Sequence, residues 1–210
     1  MDAGSFVYDA YGVRWSMDFG LQSYTTLESK LSALGGNLWD MGQNSMRWDV
    51  FRLNNLNHST ISINDARHRV NGVATLTTIN TATELGATFD LTEVVSDQAA
   101  SATRTVKIVN DKDLVVMDEI KARTDKSAKV RWCMVTPAVP TVESNRIVLT
   151  NGSKVMYLTA SGSVKPTYKQ WSTTSENFYD QANPGTYMVG FEATVTANQT
   201  VTFTTTLSPK

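Results

Sequence analysis

One cysteine, two histidines, five prolines and a formal net charge of −1 are what this chain of 210 residues offers in the way of special chemistry. A single thiol, Cys133, closes no internal disulfide, so the chain is not a disulfide-stapled scaffold and must be held by a packed core. Cys133 lies within the apolar run Val130-Arg131-Trp132-Cys133-Met134-Val135 and reads as a buried, inert thiol. Near-neutral charge argues against a nucleic-acid partner, which needs clustered Lys and Arg against phosphates. No apolar run approaches the ~20 residues of a membrane helix, so no membrane partner is expected. Met1 is followed at once by Asp2-Ala3-Gly4-Ser5, without the basic and apolar stretches of a signal peptide. Common catalytic motifs are missing too: no phosphate-cradling Gly loop, no paired-cysteine zinc spacing, no nucleophile elbow around a Ser.

What the chain has in excess is threonine, 28 residues. Thr, Val, Tyr and Trp suit half-buried pleated surfaces, where branched and flat side chains pack across strands. Apolar and polar residues alternate accordingly. Phe6, Tyr8 and Val13, Trp15, Met17 flank Asp9-Ala10-Tyr11-Gly12 as a hairpin. Ala87, Phe89 and Leu91 alternate with Thr88 and Asp90. Val106 and Ile108 precede the turn Asn110-Asp111-Lys112-Asp113, and Leu114 and Val116 follow it. Ile147 and Leu149 lead into Asn151-Gly152, a pair suited to a type I′ turn. Tyr187, Val189, Phe191 and Val201, Phe203 read as a last pair around Ala197-Asn198-Gln199. A dozen or so strands exceed one open sheet, so the expectation is an all-β, two-sheet antiparallel sandwich forming a single domain over 1–210. Phe6, Tyr8, Trp15, Phe89, Trp132, Phe191 and Phe203 should be largely buried. One short helix is inserted near residues 25–34: Thr25-Thr26-Leu27-Glu28 spaces a capping box, and Leu27, Leu31 and Leu34 recur at helical intervals before Gly35-Gly36. The stretch from Ala160 to Gly185 is the most loop-like.

Candidate functional residues are few. Asp118-Glu119 cannot flank one bond, because neighbours on a strand point to opposite faces, and they read as a solvated edge or surface ion pair. His68, beside Arg67 and Arg69 and ahead of Asn71-Gly72, reads as a solvent-facing hairpin residue. Polysaccharide grooves set aromatic faces against sugar rings and Arg forks against uronate or sulfate groups. Trp39, Asn44, Arg47, Trp48 and Arg52 lie close in sequence and suit such a substrate groove; alternatively, Trp39 and Trp48 plug the core beneath a loop.

Three blocks carry a resemblance: Asp2-Ala3-Gly4-Ser5-Phe6, then Gly12-Val13-Arg14-Trp15-Ser16-Met17-Asp18-Phe19-Gly20, then Arg52 through Asn57-His58-Ser59-Thr60. Arg104-Thr105-Val106-Lys107-Ile108 and Leu114-Val115-Val116-Met117-Asp118-Glu119 extend it. The chain resembles the C-terminal β-sandwich of the heparinase II/III-like polysaccharide lyases. That resemblance implies β-elimination on a uronic-acid-containing polymer of heparin, heparan sulfate or alginate type, and a periplasmic or secreted bacterial enzyme. It implies that Asp18 and His58 are ligands of zinc or calcium at an incomplete site, because the family's His-x-His pair would stand just before Asp2. It also implies a partner absent from this chain, the N-terminal helical toroid that supplies most of the proton-transfer groups. Asp18 and His58 should therefore approach within ~3–5 Å, and the isolated chain should be inactive. A free-standing, non-catalytic module binding carbohydrate or protein is the competing reading.

Overall fold

The computed structural model describes residues 1–109 and 112–210. In it the alternating segments become fourteen strands: β1 (Tyr8–Ala10), β2 (Val13–Ser16), β3 (Ile61–Ile63), β4 (Thr75–Asn80), β5 (Glu84–Asp90), β6 (Ala99–Val109), β7 (Asp113–Ala122), β8 (Ala128–Thr136), β9 (Val139–Val142), β10 (Ile147–Asn151), β11 (Lys154–Gly162), β12 (Thr167–Trp171), β13 (Tyr187–Val195) and β14 (Thr200–Pro209). An eight-stranded sheet runs β4-β5-β6-β7-β14-β11-β10-β9 and a four-stranded sheet runs β12-β13-β8-β3, with β1 and β2 as a separate hairpin. Neighbouring strands are antiparallel, as in β6–β7 and β13–β8. The all-β sandwich is therefore the fold.

Between the sheets, inward positions of both layers interdigitate. Trp132 of β8 stacks on Phe191 of β13 with ring centroids 5.8 Å apart, and Phe191 meets Phe203 of β14 at 5.4 Å. Phe6, Tyr8 and Trp15 join this core, whereas Phe89 is only partly buried against its margin. Cys133 is buried and free, and its thiol pKa is raised by that burial.

Several local readings change. β13 and β14 are not a hairpin: each pairs within a different sheet, and the turn between them carries the chain across the sandwich. Alternation reveals a buried face without saying which sheet owns it. In the β1–β2 turn Tyr11 and Gly12 both take positive φ (56° and 71°), as a type I′ turn requires. After β10, only Gly152 does (59°), and Asn151 is paired with Lys154 as a strand residue. The turn thus sits one residue later, with the φ pattern of type II′. The β6–β7 pairing puts Ile108 opposite Leu114, while Asn110 and Asp111 of the expected turn lie outside the described residues. The stretch read as loop contains β12.

The inserted helix α1 spans Tyr24–Ala33, but Ser23 rather than a Thr is its N-cap and no side chain closes a capping box. Glu28 is drawn away to Trp39. The C-terminal signal holds: Gly36 N–H donates to Leu31 O and Gly35 N–H to Ser32 O, both at 2.9 Å, the two bonds of a Schellman motif. Leu27 and Leu31 bury a small core of their own with Leu38, Val50 and Tyr179. A second short helix, α2 (Thr92–Val95), follows β5.

Candidate functional site

Two segments are brought together by their common neighbour, β8. Beyond β2, Met17 N–H donates to Val135 O at 2.8 Å, which lays the chain against one side of β8. Before β3, Cys133 N–H donates to Thr60 O at 3.1 Å, laying the second segment beside it. Ser59 fastens them: its Oγ–H donates to Met17 O at 3.1 Å and its Oγ accepts from Val135 N–H at 3.0 Å. Asp18 and His58, forty positions apart, then meet: His58 Nδ1–H donates to Asp18 Oδ2 at 2.8 Å.

Asp18 is half-exposed and His58 buried. The hydrogen bond from His58 holds the Asp18 carboxyl below its ordinary pKa, against the opposing effect of partial burial, and Gly20 N–H adds a bond to Oδ1 at 2.7 Å. In the tautomer that donates Nδ1–H to Asp18, Nε2 carries the free lone pair of the ring. That nitrogen has no hydrogen-bond partner among the described residues, and His58 lines a cleft of about 370 Å³ together with Asp18, Tyr24, Arg47, Trp48 and Arg52.

The expected groove residues divide. Arg47 faces the cleft with its guanidinium carbon 5.2 Å from the Trp48 ring and 5.6 Å from that of Tyr24, and one N–H donates to Leu38 O. Its Nε–H is buried without a partner. Arg52 lines the cleft but spends its donors on the protein, reaching Asn183 Oδ1 and Leu21 O at 2.9 Å and Ala182 O at 3.1 Å. Trp48 is both wall and plug, buried with Nε1–H bonded to Gly42 O. Trp39 and Asn44 are exposed and do not line the cleft.

Two other histidine and carboxylate readings are corrected. His68 is not solvent-facing; it is 2% exposed, with Nε2–H donating to Ile61 O at 2.9 Å. Burial lowers its pKa from 6.5 to about 4. The chain after it bends over α2, through Arg69 N–H to Val94 O, instead of forming a strand pair. Asp118 is not solvated: it is fully buried and takes two bonds from Arg104, at 2.7 and 3.1 Å. Arg104 Nη1 also donates to Gly4 O at 3.1 Å and Ser59 O at 3.2 Å, so this ion pair anchors the backbone next to His58. A legible signal existed, since the β6–β7 register sets Arg104 opposite Asp118 on the inward face. Glu119 points outward, as strand geometry requires.

For a metal, the donor set is short. Asp18 and His58 are two donors, and no cluster of three or more His, Cys, Asp or Glu side chains able to hold an ion occurs among the described residues. Zinc sites use three or four protein donors, so the residues present do not fit a resident ion on their own.

Fold and site together define an antiparallel sandwich with an aromatic-walled cleft beside its smaller sheet, lined by Arg47 and Arg52 and by Asp2 and Asp18. The chain belongs to the heparinase II/III-like family, whose C-terminal model matches residues 1–208. A heparan sulfate lyase HepC from Pedobacter heparinus superposes with a TM-score of 0.73 at 14% identity, covering 99% of this chain and 30% of that one. A heparinase III gives 0.72 at 16% identity, with 99% and 29% coverage. A heparinase III with methylated lysines gives 0.70 at 15%, with 100% and 30%. At such identities the likeness concerns the fold. This chain spans about 30% of the length of these relatives. No protein of curated function matches it.

Proposed function

We propose that this chain is the sandwich portion of a bacterial polysaccharide lyase that cleaves a uronic-acid-containing polymer of heparan sulfate, heparin or alginate type by β-elimination. The observation that carries this reading is the convergence of the Asp18–His58 pair with Arg47, Arg52 and Tyr24 on one open cleft. Arg47 supplies a cation between two aromatic rings with an unsatisfied Nε–H, suited to a uronate carboxylate. Neutralising that carboxylate acidifies the adjacent C5 proton, whose removal begins the elimination. His58, oriented by Asp18, presents Nε2 as an acceptor or ligand at the same wall. Arg52 acts chiefly by holding the loops at Leu21 and Ala182–Asn183 in place.

For the complete protein we propose that Asp18 and His58 are two donors of a zinc or calcium site finished by donors outside this chain. Metal analysis of the longer protein checks this, and full activity in a stripped preparation sinks it. A periplasmic or secreted location fits an extracellular polymer, and cell fractionation tests it; no helix among the described residues is long and apolar enough to cross a membrane.

The lyase reading is tested by following ultraviolet absorbance of unsaturated uronate on heparan sulfate and alginate. The longer protein should turn over and lose activity on Arg47→Ala. This chain alone should show no turnover, because β-elimination needs a positioned base and acid, each worth ~10²–10⁴-fold. Binding without turnover by the longer protein would favour the non-catalytic module instead.

A further inference from the structure

Trp39 stands outside the cleft, yet its ring is held still. The residue is 54% exposed. Even so, Nε1–H donates to Glu28 Oε1 at 2.8 Å, its backbone N–H donates to Asn37 Oδ1 at 2.9 Å, and Tyr24 meets the indole edge-on at 5.6 Å and 81°. Fixing an exposed side chain costs conformational entropy, and folding gains little apolar burial here in return. Leu21, 77% exposed, has no such restraint, and Phe178, 63% exposed, is held only by the edge of Tyr179 at 5.6 Å and by Lys30 Nζ at 6.0 Å, without a hydrogen bond to its ring. The Glu28 bond also consumes the only polar group of the indole, so what remains for a ligand is the flat ring face. Tyr24 touches Trp39 and also lines the cleft, so the indole stands one side chain away from it.

We propose that the Trp39 face is a separate sugar-stacking platform. It takes the C–H face of one pyranose ring of a polysaccharide chain whose anionic unit lies in the cleft, and Glu28 is its positioning residue. The proposal rests on the reading of the cleft as a polysaccharide site. The tether leaves one flat ring face in solvent, and one ring is the size of one sugar.

The test uses this chain, isotope-labelled, titrated with a heparan sulfate tetrasaccharide and octasaccharide. The Trp39 indole N–H signal is assigned with Trp39→Phe, and affinities come from calorimetry. The octasaccharide should shift that signal, and Trp39→Ala should weaken octasaccharide binding about tenfold, the scale of one aromatic contact, with little effect on the tetrasaccharide. Arg47→Ala should weaken both. Glu28→Ala should weaken the octasaccharide several-fold at unchanged melting temperature, and Glu28→Gln, which keeps an acceptor oxygen, should restore it. If both sugars bind and Arg47→Ala weakens them while Trp39 stays silent, the platform falls and the cleft stands. If neither sugar binds this chain, the platform falls, and the cleft reading is decided by turnover of the longer protein. Loss of the Trp39 signal on raising protein concentration without sugar would make the ring a self-association contact and overturn the platform.

Discussion

Between the sheets, Phe191 lies within 6 Å of both Trp132 and Phe203 and, among the described residues, none of the three rings makes a hydrogen bond, whereas residues 21–57 and 172–186 are sewn together by polar side chains reaching backbone. In that second region Gln22 donates to Tyr179 O, Asn54 to Trp48 O, Asn57 to Phe51 O and Asn183 to Thr173 O, while Asp180 accepts from Phe51 N–H. Short 3₁₀ turns, Met46–Asp49, Phe51–Leu53 and Asn55–Asn57, replace long elements, and side-chain bonds satisfy the backbone groups that a sheet would have paired. The sandwich is therefore stabilised by non-directional burial, and the lobe that forms the cleft by directional bonds that fix side chains at set angles. Burial tolerates shape changes; a bonded lobe places guanidinium and imidazole groups where chemistry needs them.

The sharpest way to break this contrast is at Arg104–Asp118, the buried ion pair of the sandwich core, whose guanidinium also holds the backbone next to the site. Arg104→Met strands the Asp118 carboxylate, and the expected loss is ~3–5 kcal/mol by denaturant unfolding. Arg104→Met with Asp118→Leu should regain only part, because the Gly4 and Ser59 carbonyls stay unpaired. A loss below ~1 kcal/mol for the single change would show that the pair is not integral to the core.

The next effect belongs to His68. Its folded pKa, about 4, lies below the ordinary 6.5, so the unfolded state binds the proton first and stability drains as pH falls from 6.5 through 4. The total is on the order of 3 kcal/mol. In unfolding curves across that range, His68→Gln should flatten the slope; an unchanged slope would assign the acid sensitivity elsewhere.

Smaller effects are expected in the lobe. Arg52→Ala removes three side-chain bonds and should cost ~1–2 kcal/mol, with faster amide exchange at 180–183 and unchanged exchange in β8 and β13. Equal acceleration in the strands would mean that lobe and sandwich open as one unit. Smallest is Gly35→Ala: Gly35 holds φ at +76° in the Schellman turn with open space around it, so the substitution costs only backbone strain, ~1 kcal/mol, read as a small drop in melting temperature.

Much of the fold was legible because a buried face imposes period two on any strand. Val130, Trp132 and Met134, or Ile147 and Leu149, announce themselves without knowledge of their partners. The Schellman stop at Gly35-Gly36 and the Tyr11-Gly12 turn were legible for a similar reason, since their conformations are set by residues a few positions apart. The proximity of Asp18 and His58 followed from the family resemblance, and the structure brings them to 2.8 Å.

What the chain could not announce is anything decided by partners distant in sequence. Whether Asp118 is solvated depends on Arg104 and on the second sheet that covers both. His68 looks exposed between two arginines until Ile61 accepts its N–H and the surrounding chain buries it. β13 and β14 look like a hairpin until each finds a different sheet. Trp39 and Trp48, nine residues apart in one loop, part ways because Gly42 O receives one indole in a buried wall and Glu28 holds the other in solvent. Local sequence set the periodicities and turns, which are short-range steric matters. The tertiary structure alone decided which polar groups are dry, because burial is a property of everything that packs around a residue and of nothing the residue carries itself.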